Sequence, residues 1–345
     1  MCEASPKRLE AQVPDKTAIT EKRARLSANQ LSALEHRLLS GGAGSQSTMS
    51  GAARGDPAGL DSECPLVQIQ AGDEGSPVFF VHPAGGNILC YVTLAAELGT
   101  QRSVYGLQSP GTYGNWEPHS DFDRLAQSYV EAITSVRPCG PYYLAGWSMG
   151  GLIAFEIASQ LEAQGRRIGL LALLDTWILA KNPAAIRQYE AMFLAGFAQE
   201  LGISIGEFGV PWRYALDLGL EEKLDYLSEQ CQRSAALASH ISLGEFRHLL
   251  RLFLTNLQCM FAYSPQRYSG SAVLLRASEQ LGEICLNSTV DWPYLVAGGL
   301  ETIEVPGNHF SMMRQPYVRT LGAHLSDCIR NADTREEKAR NRFAG

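Results

Sequence analysis

Side chains of the types that can activate a hydroxyl for attack stand far apart in this sequence: a serine at 148, an aspartate at 175 and a histidine at 309. Ser148 lies in Gly146-Trp147-Ser148-Met149-Gly150, a Gly-x-Ser-x-Gly motif. The apolar run Tyr142-Tyr143-Leu144-Ala145 precedes it, and Leu152-Ile153-Ala154-Phe155-Glu156-Ile157-Ala158 follows. Strand, tight turn and helix are the setting in which this motif presents its serine as a nucleophile. Glycine is needed at 146 and 150 because a Cβ there would collide with the neighbouring strand and helix. The helix N-terminus behind the serine favours a developing negative charge.

A serine hydroxyl needs a base to accept its proton, and histidine has the right pKa near neutrality. Of the seven histidines, only His309 and His324 follow the last expected strand. His309 sits in the loop Gly307-Asn308-His309-Phe310 directly after that strand, whereas His324 falls inside the final helix. His309 is therefore the base, and serine, acid, histidine is the chain order of the α/β-hydrolases. The acid orients the imidazole and stabilises its positive charge. Asp175 ends the strand after the elbow helix, on the same side of the sheet as Ser148. Glu279, after the strand 272–277, is its rival, and Asp291 is a distant third. The oxyanion formed on attack needs two backbone N–H donors. Met149 supplies one as the residue after the nucleophile, and the loop His82-Pro83-Ala84-Gly85-Gly86 supplies the other. Proline has no N–H, so Ala84 is the second donor. His82, held before Pro83, is given a structural role.

These groups need a frame, and the pattern from Pro65 onward provides one. Val67–Gln70 alternates like an edge strand. The continuous apolar runs at 78–81, 142–145 and 169–174 suit parallel strands buried on both faces. Strands at 103–107, 272–277 and 301–305 complete the set, with a helical stripe from Ile88 to Leu98 and helices over 122–136 and from 316 to about 330. Strand alternating with helix is the α/β signature. Between Trp177 and about 265 only helical patterns occur, at 189–201, 220–231 and 246–261. One crossover needs only one helix, so this stretch is read as an all-helical lid inserted after the strand ending at Asp175.

The chain of 345 residues is 45% hydrophobic and 19% charged, with a formal charge of −7. That balance argues against a nucleic-acid surface. Eight cysteines are scattered without a CxxC pair, so neither a zinc site nor a disulfide framework is indicated. No signal peptide and no apolar run of about 20 residues is present, and the expectation is a cytoplasmic protein without a membrane partner. Residues 1–63 divide into a disordered start, an amphipathic helix at about 22–40 carrying Leu26, Leu31, Leu34, Leu38 and Leu39, and a Gly/Ser/Ala linker. The leucines of 26–39 fit packing on this chain or a second copy, and equally docking to a partner. The hydrolase body is placed at 64–330, and 331–345 is read as a charged, frayed tail.

The chain resembles the type I thioesterases, the terminal release domains of nonribosomal peptide and polyketide synthetases. The likeness rests on Phe80-Val81-His82-Pro83-Ala84-Gly85-Gly86, Tyr105-Gly106-Leu107-Gln108 and the Pro141–Gly151 segment around Ser148. It continues through Leu173-Leu174-Asp175, through Asn256 with Tyr263–Gly270, and through Gly307-Asn308-His309-Phe310. Trp147 before the serine is closer to the release domains than to the stand-alone editing thioesterases. The resemblance places the acid at Asp175 and demotes Glu279. It implies a serine thioesterase that takes an acyl or peptidyl chain from a carrier protein and releases it by hydrolysis or cyclisation. The chain would need no cofactor or metal of its own, because the substrate rides on the phosphopantetheine arm of the partner carrier. An acyltransferase or aminoacyl shuttle between carriers, or a non-catalytic carrier-binding adaptor, are the alternatives. Gly59-Leu60-Asp61-Ser62 matches the start of a carrier attachment motif, but Glu63 and Pro65 break the helix that should follow. The expectation is thus a free-standing enzyme that meets its carrier in trans.

Overall fold

The computed structural model describes residues 65–99, 102–112, 121–179, 181–200, 215–233, 242–279 and 292–344. The helix expected at 22–40, the linker to 63 and Asp291 lie outside the described residues. Within them the chain runs β1 (Leu66–Gln70), β2 (Val78–Val81), α1 (Cys90–Glu97), β3 (Val104–Leu107), α2 (Phe122–Val136), β4 (Tyr142–Trp147), α3 (Met149–Ala163) and β5 (Ile168–Leu174). Three helices follow without a strand among the described residues: α4 (Pro183–Glu200), α5 (Leu220–Arg233) and α6 (Leu243–Ala262). The chain then returns through β6 (Ala272–Ala277), the short α7 (Trp292–Leu295), β7 (Leu300–Val305) and α8 (Tyr317–Ala344).

The sheet order is β1-β3-β2-β4-β5-β6-β7. β1 pairs antiparallel to β3 at one edge, and every other neighbour pair is parallel. The two-residue period of each strand divides its apolar run between two layers. Phe79, Val81, Leu144, Leu171 and Leu173 pack with Leu125 and Tyr129 of α2 and Ile153 and Ile157 of α3. Val78, Phe80, Tyr143, Ala145, Leu170 and Ala172 pack with Tyr91 and Leu94 of α1 and Val318, Leu321 and Leu325 of α8. Helices on both faces are why these strands carry no polar alternation. Asp121 caps α2 by accepting from the Asp123 and Arg124 N–H groups, and Ser242 and Glu245 form a capping box at the start of α6. The expected fold class, an α/β sheet with an all-helical insertion after β5, is the one observed.

The expected tail at 331–345 is a correction. α8 does not stop near Arg330 but continues to Ala344. The extension is held by side chains that face inward. Asp333 accepts from Arg102 Nη2 at 2.5 Å and from Tyr143 Oη at 2.8 Å, Glu336 pairs with Arg167, and Ala332 is fully buried. Arg102 also lies over the Tyr143 ring and donates to the Ser76 carbonyl at 2.6 Å. The charges read as a frayed tail include Asp333, the partner of the buried Arg102.

Replacing Asp333 with Ala removes the charged acceptor of the Arg102 guanidinium in a site that is about 5% exposed. The loss of charge-assisted hydrogen bonds should lower unfolding free energy by roughly 1.5–3 kcal/mol, read from urea denaturation. A change indistinguishable from that of a surface substitution would refute the clamp.

Candidate active site

The C-terminal ends of β4 and β5 put two of the expected residues side by side. Ser148 follows β4, and its N–H donates to the Leu174 carbonyl at 3.0 Å; Asp175 follows β5, and its N–H donates to the Leu275 carbonyl at 2.8 Å. Both residues have positive φ, 61° at Ser148 and 42° at Asp175. Neither is glycine, so each conformation costs on the order of 1–3 kcal/mol and persists because its surroundings enforce it. At Ser148 the enforcing contacts are close. A Cβ on Gly146 would stand 2.1 Å from the Gly150 carbonyl oxygen, and one on Gly150 would stand 2.2 Å from the Val81 carbonyl oxygen. The motif glycines thus let α3 begin directly against β4 and β2. Ser148 precedes α3 as its N-cap but its side chain makes no capping hydrogen bond, so the hydroxyl is not consumed by the helix.

The third residue arrives from the loop after β7. His309 Nδ1 donates to Asp175 Oδ2 at 2.8 Å, and Asp175 Oδ1 accepts from the Ala277 N–H at 2.9 Å. Both carboxylate oxygens therefore have donors, which a buried carboxylate needs. Asp175 and His309 are each 1% exposed. A carboxylate on Nδ1 places the proton there and leaves a lone pair on Nε2. Nε2 is buried and makes no hydrogen bond, to Ser148 included. Catalytic hydrogen bonds often tighten only when substrate binds. His309 is nonetheless held against the residue before the serine: Trp147 Nε1 donates to the His309 carbonyl at 3.0 Å, and the two rings lie 5.0 Å apart. Trp177 covers the imidazole at 4.2 Å, and Phe193 of α4 meets it edge-on at 6.1 Å.

The remaining expected residues fall out as follows. Glu279 is not the residue on His309; its N–H donates to the Gly307 carbonyl at 2.9 Å. His324 is half-buried in α8. Asp175 does not cap a helix, because the next helix among the described residues, α4, begins only at Pro183. Ala84 is buried, in a turn closed by the Gly86 N–H on the Pro83 carbonyl at 2.9 Å. Met149, fully buried, opens α3 next to Ser148. Among the described residues no group of His, Cys, Asp and Glu could hold a metal ion, and no helix is long and apolar enough to cross a membrane.

His82 is fully buried, with Nδ1 2.7 Å from the Pro83 carbonyl and Nε2 2.7 Å from Tyr129 Oη. The carbonyl only accepts, so Nδ1 carries the proton and Nε2 accepts from Tyr129. Burial pushes its pKa down to about 4, partly offset by the bond to Pro83. It is neutral at physiological pH and turned away from base chemistry. Sequence reasoning assigned no role to Trp177, to Tyr129 or, beyond its place in a motif, to Asn256. Asn256, a polar residue in an apolar helical stripe, is 1% exposed and donates to the Ala84 carbonyl at 2.9 Å.

The Thioesterase domain family model matches residues 76–324. A dimodular nonribosomal peptide synthase of Bacillus subtilis (strain 168) is 27% identical over 270 residues, covering 76% of this chain and 11% of that protein. Atromentin synthetase of Tapinella panuoides is 26% identical over 259 residues, 72% of this chain and 26% of its own length. The chain thus spans a minor part of the curated relatives it matches. Among solved structures, the four-domain nonribosomal peptide synthetase AB3403 in its holo form superposes with a TM-score of 0.61 at 24% identity, over 76% of this chain and 20% of that one. The Vlm2 thioesterase domain bound with a dodecadepsipeptide gives a TM-score of 0.57 at 22% identity, over 77% of this chain and 98% of that one. Both likenesses are of fold, and the fold is that of the α/β-hydrolases.

Two outcomes follow from the geometry. Asp175→Asn keeps the shape but disturbs the tautomer that leaves Nε2 free, so turnover of an activated acyl ester should fall by about 10³–10⁴-fold; activity within tenfold of the parent would remove Asp175 as the orienting acid. An unfolded chain protonates His82 near pH 6.5, whereas the folded chain resists until about pH 4. Stability contributed by this group is therefore full above about pH 6.5 and is lost as pH falls toward about 4, by on the order of 3 kcal/mol. Urea titrations of parent and His82→Asn across that window should diverge with this sign.

Proposed function

Because this chain belongs to the Thioesterase domain family, we propose that it is a serine thioesterase that releases an acyl or peptidyl chain from a phosphopantetheinyl carrier protein. The observation that carries the reading is the buried His309–Asp175 bond with Nε2 left unpartnered, together with a serine at the end of β4 whose neighbour Trp147 packs on the His309 ring. Ser148 Oγ attacks the thioester carbonyl as His309 Nε2 takes its proton. The oxyanion is stabilised by the Met149 and Ala84 N–H groups, each worth about 3–4 kcal/mol when such a donor is lost. The C–S bond breaks, the pantetheine sulfur leaves with the proton held on His309, and the acyl group stays on the serine. His309 then activates water, which yields a free acid, or an amine or hydroxyl of the same chain, which yields a ring. Asp175 holds the imidazole and balances its charge throughout.

The relatives support the substrate class. Curated proteins matched by the chain are named as a dimodular nonribosomal peptide synthase and a probable non-canonical nonribosomal peptide synthetase, which supports a peptidyl chain as the substrate class. The enclosed site supports the second half of the reaction. The aromatic residues Trp147, Trp177 and Phe193 shield the imidazole, and a site with restricted water lets an internal nucleophile compete with hydrolysis.

Offered an acyl-pantetheine thioester, the protein should gain one acyl mass on Ser148 and release free acid or cyclised product, followed by intact-protein mass spectrometry and product analysis. Ser148→Ala should form no adduct and show no turnover above background. Normal turnover by Ser148→Ala removes the nucleophile; acyl transfer to a second carrier thiol with no acid or ring formed replaces release with shuttling.

A further inference from the structure

The loop after β2 is held by more bonds than its fold requires. Its Pro83–Ala84 peptide carries the N–H assigned to the oxyanion. In a trans peptide the N–H and C=O point in opposite directions, so whatever fixes the Pro83 carbonyl also aims the Ala84 N–H. Two donors fix it: the Gly86 N–H at 2.9 Å, from the turn itself, and His82 Nδ1 at 2.7 Å. The next carbonyl, that of Ala84, is fixed by Asn256 Nδ2 at 2.9 Å. Asn256 comes from α6, a lid helix, and is 172 residues away in sequence. Both side chains are buried, His82 completely and Asn256 to 1%. Each is oriented in turn: His82 Nε2 accepts from Tyr129 Oη of α2 at 2.7 Å, and Asn256 Oδ1 accepts from Ser109 Oγ at 3.5 Å. The loop's far end is tied as well, with the Gly86 carbonyl accepting from the Ser109 N–H at 2.8 Å and from Thr112 Oγ1 at 3.0 Å.

We infer that His82 and Asn256 are positioning residues for the oxyanion hole, His82 by aiming the Ala84 N–H and Asn256 by tying the same residue to the lid. Neither touches the reacting atoms; both act through the peptide planes on either side of Ala84. The inference deepens the acyl-serine reading and rests on it for the role of Ala84. It gives a buried neutral imidazole a task that needs one N–H of fixed direction. It also makes the lid a part of the active site, because moving α6 removes the donor on the Ala84 carbonyl.

The test uses the full chain and a probe that needs no carrier. An alkyl fluorophosphonate phosphonylates an activated serine: the Oγ–P bond forms, the P–F bond breaks, fluoride leaves, and the serine proton passes to the histidine. Its phosphoryl oxygen occupies the oxyanion hole, so the rate reports the donors. His82→Gln, which shifts the donor to the position of Nε2, should slow phosphonylation about 10- to 100-fold, less than or up to the loss of a whole donor. His82→Asn, whose amide nitrogen can stand near the position of Nδ1, should recover most of the rate. Asn256→Ala should slow it about tenfold. Inhibition by an alkyl trifluoromethyl ketone, which forms a tetrahedral oxyanion adduct, should weaken by matching factors, while KM for an ester substrate stays within about twofold. A merely structural role would not give rescue by Asn with this tracking. His82→Gln and His82→Asn that fold and are equally slow, or equally fast, overturn the role of His82. If the His82 variants do not fold, Asn256→Ala phosphonylated at the parent rate overturns the lid tie and with it the proposal. A parent chain that does not react with the probe overturns it too. A chain that reacts with the probe but leaves thioesters intact refutes the thioesterase reading alone.

Discussion

A carboxylate buried against an imidazole governs the arrangement of this domain. Placing Asp175 out of water is costly unless every lone pair finds a donor. The sheet supplies one through Ala277 and the loop after β7 supplies the other through His309. Both depend on parallel register: Leu174 lies opposite Leu275, and Ala277 opposite Val305. A one-residue slip of β5 against β6 would turn the acid away from the Ala277 N–H, and one of β6 against β7 would displace the loop that carries His309. The long loop from β5 through the lid to β6 is tolerated because the bonds it must close lie between strands, not within it. Trp292 adds a further tie by donating to the Thr176 carbonyl at 2.9 Å, which fixes the segment directly after the acid.

The lid reaches the chemistry through side chains from two of its helices. Phe193 of α4 meets the His309 ring, and Asn256 of α6 meets the Ala84 carbonyl. The packing of α4 is close: a Cβ on Gly196 would stand 2.2 Å from the Phe310 ring. A glycine in mid-helix costs about 1 kcal/mol relative to alanine, and here it admits Phe310, the aromatic residue next to His309. Lid and loop therefore form one packed unit around the imidazole. Trp147 and Trp177 lie tilted over the His309 ring, an arrangement favourable to a cation.

Much of this was legible in the sequence because it obeys short-range rules. β2 and β6 and helix α2 match their expected bounds, since apolar runs and an Asp N-cap are local signals. Ser148 was legible from glycines that must leave room for strand and helix, and His309 from its place after the last strand. Asp175 was separable from Glu279 by strand-end position only in part; the family resemblance completed the choice, and the 2.8 Å bond to His309 agrees with it. What stayed hidden depends on partners far along the chain. The extension of α8 beyond Arg330 is polar by composition, and nothing local tells that Asp333 faces Arg102 and Tyr143, 231 and 190 residues away. Asn256 entered only through the family resemblance, and its acceptor is a backbone carbonyl, which no side-chain pattern can report.

The two ends of the sheet divide their labour. At the N-terminal ends of β3, β4 and β5 stand Arg102, Tyr143 and Arg167, and α8 crosses them with Asp333 and Glu336. No non-glycine residue in that group has a positive φ. At the C-terminal ends of β4 and β5 stand Ser148 and Asp175, the non-glycine residues that do among the described residues. Strained backbone persists only where the surrounding structure over-determines it, and an unpartnered buried nitrogen such as His309 Nε2 carries a further cost of about 1–3 kcal/mol. Those costs fall at the C-terminal ends of the strands, where Ser148, Asp175 and His309 are gathered. They are offset by the doubly covered core and by the α8 clamp at the opposite edge. The extended last helix is thus part of what lets the first strands hold a reactive geometry, although it lies at the other end of the strands it secures.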